Sequence, residues 1–472
     1  MVRRTKIVCT LGPATEDVSM IKKLIAAGMD AARLNFSHGD HASKKEMADK
    51  LKTAREELGA PIPLILDTKG PEVRIKTFKG GSVLLKEGGI FTLTTEDIIG
   101  DEEKVSVTYM DMPHDFKVGD RILLDDGLIE LAVTHLTETD IECKVINGGE
   151  ISNNKGLNAP DVHLNLPALT EKDIEDLKFG VEQGFDYVAA SFIRSGEDVV
   201  KVKNVLIENG GAHIKVIAKI ENRSGVDNIN EILHEADAIM VARGDLGVEI
   251  PPEEVPQVQK MLIKKANTHG KPVITATQML ESMIENPRPT RAEASDVANS
   301  IYDSSDAVML SGETAMGKYP IEAVDMMARI AIKAEADISY EKRLKRVPDR
   351  STTITNAIGH AAASISADLN TACIATVTHS GFTPRMVARF RPMCPIVAST
   401  MFDTIWRQMN LIWGCTPIFN DQAENENDEF NVAMEAAVKS ELAKPGDLVI
   451  MSMGIPVGVS GSTNTLRIGI AP

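Results

Sequence analysis

Short apolar runs alternate with amphipathic, helix-like stretches over about the first 345 residues of the chain. Strands that alternate with helices pair in parallel, and eight such strands close into a (β/α)8, or TIM, barrel. The eight runs that predict this barrel are T-K-I-V-C-T-L-G from Thr5, A-A-R-L-N-F-S from Ala31, P-L-I-L-D-T-K-G from Pro63, Y-V-A-A-S-F-I-R from Tyr187, K-V-I-A-K-I-E-N from Lys215, A-I-M-V-A-R-G-D from Ala238, P-V-I-T-A-T-Q from Pro272 and A-V-M-L-S-G-E-T from Ala307.

The pattern changes twice along the chain. Between the third and fourth runs, S-V-L-L-K-E-G-G-I-F-T-L and R-I-L-L-D-D-G-L-I-E-L-A-V alternate polar and apolar positions and contain Gly and Asp turns, which predicts antiparallel strands. We expect an inserted β-barrel lid domain here, able to exclude water from the chemistry. Near residue 350 a helix-strand pattern starts again, which predicts a C-terminal open α/β domain. The predicted α/β chain therefore has a barrel at 1–70 and 170–345, a lid at 71–169 and a C-terminal domain at 346–472.

Composition narrows the class of protein. The net charge of −17 argues against a nucleic-acid-binding surface. The five cysteines are scattered without metal-ligand spacing, which favours free thiols in a reducing compartment, so we expect a cytoplasmic protein. No run is long and apolar enough for a membrane helix, and the N-terminal I-V-C-T-L is too short for a signal sequence.

Charged side chains collect at the C-terminal ends of the predicted strands, where barrels of this kind build their active sites. Lys219 and Glu221 stand two apart at the end of one run, so they share a face, and Asp245 ends the next run. Two carboxylates suit Mg²⁺ or Mn²⁺, and a neighbouring lysine would help to neutralise a phosphoryl group or an enolate. A simple salt bridge between Lys219 and Glu221 explains that pair equally well.

A second polar set follows the second and third runs. Asn35 and Ser37 end R-L-N-F-S, and Asp67 and Thr68 end L-I-L-D-T. Neutral oxygens with one carboxylate suit a weakly charged cation better than zinc. Helix capping is an alternative explanation for Asn35 and Ser37.

These residues lie in motifs that resemble those of the pyruvate kinase family. The likeness runs from about Thr5 to the C-terminus in the order typical of the family, and it fits the bacterial type without the extra C-terminal domain. The motifs are R-L-N-F-S-H-G, L-D-T-K-G-P-E-V-R, V-I-A-K-I-E-N-R-S-G-V, M-V-A-R-G-D-L-G-V-E, I-T-A-T-Q-M-L-E-S-M, N-P-R-P-T-R-A-E and M-L-S-G-E-T-A-M-G-K-Y-P.

The resemblance implies transfer of the phosphoryl group of phosphoenolpyruvate to ADP, followed by protonation of the pyruvate enolate. Lys219 resembles the lysine that stabilises both species, and Arg33 the arginine that holds the substrate phosphate. Glu221 and Asp245 match the Mg²⁺ ligands. Gly244, Asp245 and Thr277 match substrate contacts, with Thr277 near the water that delivers the proton.

The resemblance also implies a K⁺ site and an ADP site. Asn35, Ser37, Asp67 and Thr68 match the K⁺ ligands, and relatives with glutamate at the position of Glu72 typically need K⁺. Four residues match nucleotide contacts, and they are Arg74, Lys155, Asn35 and His38. Their placement predicts that the lid closes over ADP.

The likeness further implies a homotetramer and an effector site for a sugar phosphate. Arg288 and Arg291 are candidates for a subunit interface, although Thr290 with Glu293 also reads as a capping box that starts a helix. The effector candidates, each of which also fits an ordinary turn, are Thr378, His379, Ser380, Gly381, Thr383, Ser460, Gly461 and Ser462. His379 and Phe382 depart from relatives activated by fructose 1,6-bisphosphate, which puts that ligand in doubt.

Two rival functions remain open to the sequence. One is a metal-dependent phosphoenolpyruvate or pyruvate lyase, which would have no use for the ADP-side residues Arg74 and Lys155. The other is a catalytically silent regulatory relative. Against it counts the intact set of Lys219, Glu221, Asp245 and Thr277.

Overall fold

In the computed structural model, eight parallel strands close into one barrel in the order of the predicted runs. The structure describes residues 2–160, 162–344, 353–420, 426–455, 461 and 463–472. The barrel strands are Lys6–Thr10, Ala31–Asn35, Leu64–Asp67, Tyr187–Ala190, Lys215–Ile220, Ala238–Ala242, Val273–Ala276 and Ala307–Leu310. The first and last strands pair, as do Asn35 with Asp67 and Asp67 with Ala189, so the polar strand ends meet at one rim.

Alternation along each strand explains why the strands are apolar throughout. Side chains such as Ile65, Ile217 and Met240 fill the inside of the barrel, while their neighbours Leu66 and Val216 pack outward against the helices. Both faces are therefore buried, as expected for a parallel sheet covered by helices. Most of the polar side chains of the barrel strands lie near the strand ends, as Asn35 and Asp67 do.

Helices surround the barrel, and several start at the caps that the sequence contains. The Thr290 hydroxyl accepts a hydrogen bond from the Glu293 N–H at 3.2 Å, and the Glu293 carboxylate accepts one from the Thr290 N–H at 2.7 Å. The predicted capping box is therefore present. The helices of the barrel region are Val18–Ala27, His41–Leu58, Glu171–Glu182, Gly196–Glu208, Arg223–Asp227, Ile229–Glu235, Arg243–Glu249, Val255–Thr268, Arg291–Tyr302, Gly312–Ala315, Pro320–Asp337 and Tyr340–Leu344, with 3₁₀ turns at Pro13–Thr15 and Glu281–Ile284.

The segment between the third and fourth barrel strands forms a β domain with its own apolar core around Phe91 and Leu131. A six-stranded sheet and a two-stranded sheet enclose this core. Their strands are Ser82–Leu85, Ile90–Thr94, Lys104–Ser106, Arg121–Leu124, Ile129–Leu136, Asp140–Asn147, Gly149–Ser152 and Leu157–Asn158, with one short helix at Met112–Asp115.

The C-terminal part is an open sheet of five strands flanked by helices. Its strands are Cys373–Val377, Ile396–Thr400, Cys415–Phe419, Leu448–Gly454 and Thr463–Ile470, and its helices are Ile354–Asp368, Phe382–Ala388, Asp403–Met409 and Glu426–Lys439. No helix in the described part of the chain is long and apolar enough to cross a membrane.

Buried ion pairs join the helices and loops around the C-terminal sheet to the amino-terminal end of the barrel. Arg407 Nε lies 2.8 Å from Asp186, and Arg391 Nη1 lies 3.1 Å from Asp306. Asp186 is fully buried and also accepts the Leu64 N–H at 2.9 Å. Breaking such buried pairs costs several kcal/mol, so these contacts hold the two parts in a fixed relation.

Candidate active site

A cluster of buried charges lies at the carboxyl end of the barrel, with Lys219 at its centre. The Lys219 Nζ lies 2.8 Å from Glu221 Oε1, 3.1 Å from Asp67 Oδ1 and 2.7 Å from Ser191 Oγ. Glu221 also accepts the Phe192 N–H at 2.6 Å. The salt bridge between Lys219 and Glu221, the alternative explanation for this pair, is therefore present, but it is one contact within a larger cluster.

Arg33 enters the cluster from the second strand. Its Nε lies 2.5 Å from Asp67 Oδ2, and its Nη1 donates to Thr10 Oγ1 at 2.9 Å. Asp67 is only 1% exposed and serves both cations, one with each oxygen. Arg33 and Lys219 are thereby held side by side, which places two positive charges where an anionic substrate would need them.

The electrostatics of the cluster favour a charged lysine and a bound cation. Burial disfavours the ammonium of Lys219, but the carboxylates of Asp67 and Glu221 outweigh it and raise the pKa of Lys219. Burial raises the pKa of Glu221 to about 7 against the opposing charge of Lys219, and the Asp245 charge adds to the rise. Burial likewise raises the pKa of Asp245. Glu221 is buried and Asp245 lies at the open edge of the cluster, and two carboxylates with raised pKa values are suited to sharing a metal ion.

The donor set fits Mg²⁺ or Mn²⁺ and does not fit a zinc site. Glu221 and Asp245 supply hard oxygen ligands, and Mg²⁺ commonly takes only one or two carboxylates, with substrate and water completing its shell. In the part of the chain that the structure describes, no group of three His, Cys, Asp or Glu side chains is arranged as a metal site. Further ligands must therefore come from substrate or solvent.

Thr277 occupies a strained position beside Gly244. Its φ is +66°, a left-handed conformation that a β-branched residue rarely adopts. The Thr277 Oγ1 accepts the Gly244 N–H at 2.7 Å and donates to the Ala276 carbonyl at 2.6 Å. Arg243 donates to the Thr277 carbonyl at 2.8 Å and pairs with Asp296 at 2.6 Å, which fixes the turn. The hydroxyl is thus held at the edge of the charged cluster.

The residues predicted for K⁺ lie on the adjoining strand ends. Asn35 Oδ1 accepts the Ser37 N–H at 3.0 Å, and Ser37 itself is exposed. Thr68 is buried and accepts the Ser191 hydroxyl with its carbonyl at 2.7 Å. The set offers oxygen donors with one carboxylate, that of Asp67, which matches the chemistry of a monovalent cation.

A cleft between the barrel rim and the β domain borders this cluster. Its walls include Glu72, Asp126 and Asn158 on one side and Arg194 and Asp245 on the other. The cleft therefore reaches from the β domain to Asp245, a predicted Mg²⁺ ligand.

The predicted nucleotide contacts of the β domain hold local partners. Arg74 lies 2.7 Å from Glu72, and Lys155 lies 2.8 Å from Asp125. The Nε of Arg74 is buried without a hydrogen-bond partner among the described residues. His38 is exposed on the loop after the second strand.

Comparison with known proteins agrees with this architecture. The family model for the pyruvate kinase barrel domain matches residues 2–324, and that for the pyruvate kinase alpha/beta domain matches residues 356–469. The chain belongs to the pyruvate kinase family. It is 50% identical to "Pyruvate kinase" of Geobacillus stearothermophilus over 100% of this chain and 81% of the relative. It is 48% identical to "Pyruvate kinase" of Sporosarcina psychrophila over 99% of this chain and 80% of that relative.

Membership in the family makes this chain a phosphotransferase and does not favour the lyase. The family assignment also fits the predicted α/β class, with a (β/α)8 barrel followed by a C-terminal α/β domain.

The strands that precede the two predicted effector loops are neighbours in the C-terminal sheet. Cys373–Val377 pairs in parallel with Leu448–Gly454, so the two strands end on the same side of the sheet. Thr378 Oγ1 accepts the Gly381 N–H at 3.0 Å, and Thr383 Oγ1 lies 2.7 Å from Thr463 Oγ1. Gly381 has a left-handed φ of +73°. Ser460 and Ser462 lie outside the described residues, and Gly461 lies between them.

Sequence reasoning missed several residues that support the charged cluster. Ser191 and Thr10 hydrogen-bond to Lys219 and Arg33, and the Phe192 N–H holds Glu221. Each of these three follows or ends a barrel strand, so the rule that identified the other strand ends applies to them. Arg243 was not singled out either, although it stands beside Gly244 and Asp245 in the same motif. Its contacts with the turn at Thr277 appear only in three dimensions.

Proposed function

We propose that this member of the pyruvate kinase family transfers the phosphoryl group of phosphoenolpyruvate to ADP, giving ATP and pyruvate. The observation that carries the proposal is the buried cluster in which Lys219 touches Glu221, Asp67 and Ser191. The raised pKa of Lys219 keeps its ammonium charged at neutral pH. A fixed positive charge in a desolvated site stabilises charge that develops in a transition state, without reorganisation.

In the proposed reaction, the phosphorus–oxygen bond to the enol oxygen breaks and a new bond forms to the terminal phosphate oxygen of ADP. Arg33 holds the substrate phosphate, and Lys219 stabilises first the transferring group and then the enolate oxygen. The enolate carbon next takes a proton through water near the Thr277 hydroxyl. Gly244 and Asp245 complete the substrate contacts at the start of the helix Arg243–Glu249.

Glu221 and Asp245 are the proposed ligands of Mg²⁺ or Mn²⁺, and this ion supplies positive charge to the substrate oxygens when bound. Asn35, Ser37, Asp67 and Thr68 form the proposed K⁺ site. The support for the first site is that Glu221 and Asp245 both have raised pKa values at the carboxyl end of the barrel. The support for the second is the pairing of Asn35 with Asp67 across two strands.

The β domain is proposed to close over ADP. Arg74, Lys155, Asn35 and His38 are the proposed nucleotide contacts. The pairs of Arg74 with Glu72 and of Lys155 with Asp125 are partly exposed, so exchanging a carboxylate for an ADP phosphate costs little. Closure would then exclude water from the transferring group.

The proposal also covers the effector site and the assembly of the protein. We place a phosphorylated effector at Thr378, His379, Ser380, Gly381 and Thr383, together with Ser460, Gly461 and Ser462 of the second loop. The proposed assembly is a homotetramer in the cytoplasm, with Arg288 and Arg291 at an interface. All five cysteines are free and buried, which agrees with a reducing compartment. The proposed domains are 1–70 with 170–345, 71–169 and 346–472.

The test is the reaction itself, with purified protein, phosphoenolpyruvate and ADP. Pyruvate and ATP should form in equal amounts, only with Mg²⁺ or Mn²⁺ and much faster with K⁺. Pyruvate without ATP would instead point to phosphatase or lyase chemistry. No turnover by folded protein, with or without sugar phosphates, would favour a silent regulatory relative.

A further inference from the structure

Two buried carboxylates lie on one face of the helix Glu171–Glu182, which follows the β domain. Asp173 and Asp176 are three residues apart, so they are neighbours on the helix surface, and they are 0% and 1% exposed. Buried carboxylates are costly unless hydrogen bonds or cations satisfy them. The groups that satisfy this pair lead to the two strand ends that carry the proposed K⁺ ligands.

Asp176 acts on the loop after the second barrel strand. Its Oδ2 lies 2.6 Å from Lys172 Nζ, and this ammonium donates to the Phe36 carbonyl at 3.0 Å. The Phe36 N–H donates to the Asp67 carbonyl at 2.9 Å. Phe36 is therefore held on both sides, which fixes the peptide bond that its carbonyl shares with Ser37. Ser37 lies beyond the end of the strand and is exposed, so this anchor helps to set its position.

Aromatic packing holds the same loop against the helix. Phe36 is fully buried, and its ring centroid lies 5.9 Å from that of Phe179. His41 stacks on Phe179 at 4.4 Å, and its Nε2 lies 2.6 Å from Asp176 Oδ1. Asp176 therefore serves His41 with one oxygen and Lys172 with the other. The two ends of the loop, at Phe36 and His41, are thus joined to one helix.

Asp173 acts on the loop after the third barrel strand. Its Oδ1 accepts the N–H of Gly70, two residues after Thr68, at 3.0 Å. Gly70 has a left-handed φ of +74°, and a Cβ at this position would lie 2.8 Å from side chains that follow the fourth strand. The other oxygen of Asp173 accepts the N–H and the hydroxyl of Thr170, just before the helix. The same helix therefore holds the second loop as well.

We propose that Asp176, acting through Lys172, is a positioning residue for the K⁺ site. The inference rests on the K⁺ site of the proposed function and adds a support outside its ligands. The four ligands come from two strand ends, with Asn35 and Ser37 at one and Asp67 and Thr68 at the other. Because one helix holds both loops, losing its contact with the first loop should loosen the site and weaken K⁺ binding, with all four ligands still present.

Melting curves of the full-length Lys172→Met variant test the proposal. Its side chain is 45% exposed, so this variant gives an answer even where Asp176→Asn does not fold. A cation that binds only the folded protein raises the melting temperature once its concentration exceeds the dissociation constant. The KCl concentration is varied, with tetramethylammonium chloride keeping the ionic strength constant. The K⁺ concentration at which the melting temperature begins to rise should be about tenfold higher in both variants than in the wild type.

Glu175→Gln is the matched control, since Glu175 is exposed on the same helix beside Asp176. Its K⁺ concentration for the rise should stay within about twofold of the wild type. Turnover supplies a second readout. In Lys172→Met the K⁺ concentration for half-maximal turnover should rise about tenfold, while kcat at saturating K⁺ should return to within about threefold of the wild type. A merely structural role would lower the melting temperature without moving either K⁺ concentration.

The possible failures can be told apart. An unchanged K⁺ concentration for the rise in folded Lys172→Met would overturn the proposal and leave the K⁺ site itself standing. Absence of K⁺-specific stabilisation in the wild type would overturn both. Failure to form ATP from phosphoenolpyruvate and ADP would reject the proposed reaction, and the melting curves would still decide the role of Lys172.

Discussion

Asp67 is the carboxylate on which the charged cluster depends, and Asp67→Asn tests that dependence. Its side chain is 1% exposed, with Arg33 Nε at 2.5 Å from one oxygen and Lys219 Nζ at 3.1 Å from the other. Burial alone would raise the pKa of Asp67, but Arg33 and Lys219 hold it below its usual range. Asparagine has one acceptor oxygen, so its amide N–H must face one of the two cations.

The size of the effect follows from these distances. At an effective dielectric constant of about 20, a unit charge pair is worth about 5 kcal/mol at the longer distance and about 7 kcal/mol at the shorter one. Much of that attraction is offset, because the neutral amide no longer bears the desolvation cost of a buried carboxylate. Breaking a buried pair from one side typically costs about 3–5 kcal/mol, which is the loss we expect.

Urea unfolding followed by circular dichroism measures this loss in the full chain. The control is Asp97→Asn, which removes a carboxylate that is 2.8 Å from Lys76 but 87% exposed in its side chain. An exposed pair contributes about 0–1 kcal/mol, so the control should unfold almost as the wild type does. Equal stability of the two variants would refute the interpretation of Asp67 as the buried counter-ion of the cluster.

Three further predictions concern protonation, proton delivery and K⁺. Burial lowers the pKa of Lys215 to about 7, far below that of an unfolded lysine. Above about pH 7 the unfolded chain therefore binds more protons than the folded chain, and the free energy of unfolding should rise with pH by up to ~1.4 kcal/mol per unit. The melting temperature of the wild type should rise with it between about pH 7 and pH 9, and Lys215→Met should flatten that rise. An unchanged slope in the variant would reject the low pKa. Thr277→Val removes the acceptor of the Gly244 N–H and should lower kcat by about 10²-fold or more. The kcat of Thr277→Ser, which keeps the hydroxyl, should stay within about tenfold of the wild type. Equal kcat in both variants would show that the hydroxyl has no part in the mechanism. Glu72→Lys should weaken activation by K⁺, because a fixed ammonium takes over the monovalent charge, and full dependence on K⁺ in this variant would contradict that role.

The barrel was predictable because each of its strands carries the same local signal. Eight short apolar runs end in polar residues, and each of those runs forms a barrel strand. Lys219 with Glu221 could be paired from spacing alone, since residues two apart in a strand share a face. The contact between these two side chains, at 2.8 Å, agrees with that prediction.

Contacts between strands that are distant in sequence could not be predicted from local sequence patterns. Ser191 and Lys219 meet only because the fourth and fifth barrel strands pair in one particular register. The contact of Lys215 with the Ser380 carbonyl depends on how the C-terminal part docks on the barrel, to which ion pairs such as Arg407 with Asp186 contribute. The strained φ of Thr277 likewise arises from tertiary hydrogen bonds and has no local sequence signal.

The central claim is that Lys219 neutralises the transferring phosphoryl group within the cluster of Glu221 and Asp245. The most direct measurement is the turnover of Lys219→Met with phosphoenolpyruvate, ADP, Mg²⁺ and K⁺, beside the exposed-lysine control Lys201→Ala. Removing a preorganised charge from such a site should lower kcat by about 10³-fold or more in a variant that circular dichroism shows to be folded. Turnover of the folded variant within about tenfold of the wild type would contradict the account.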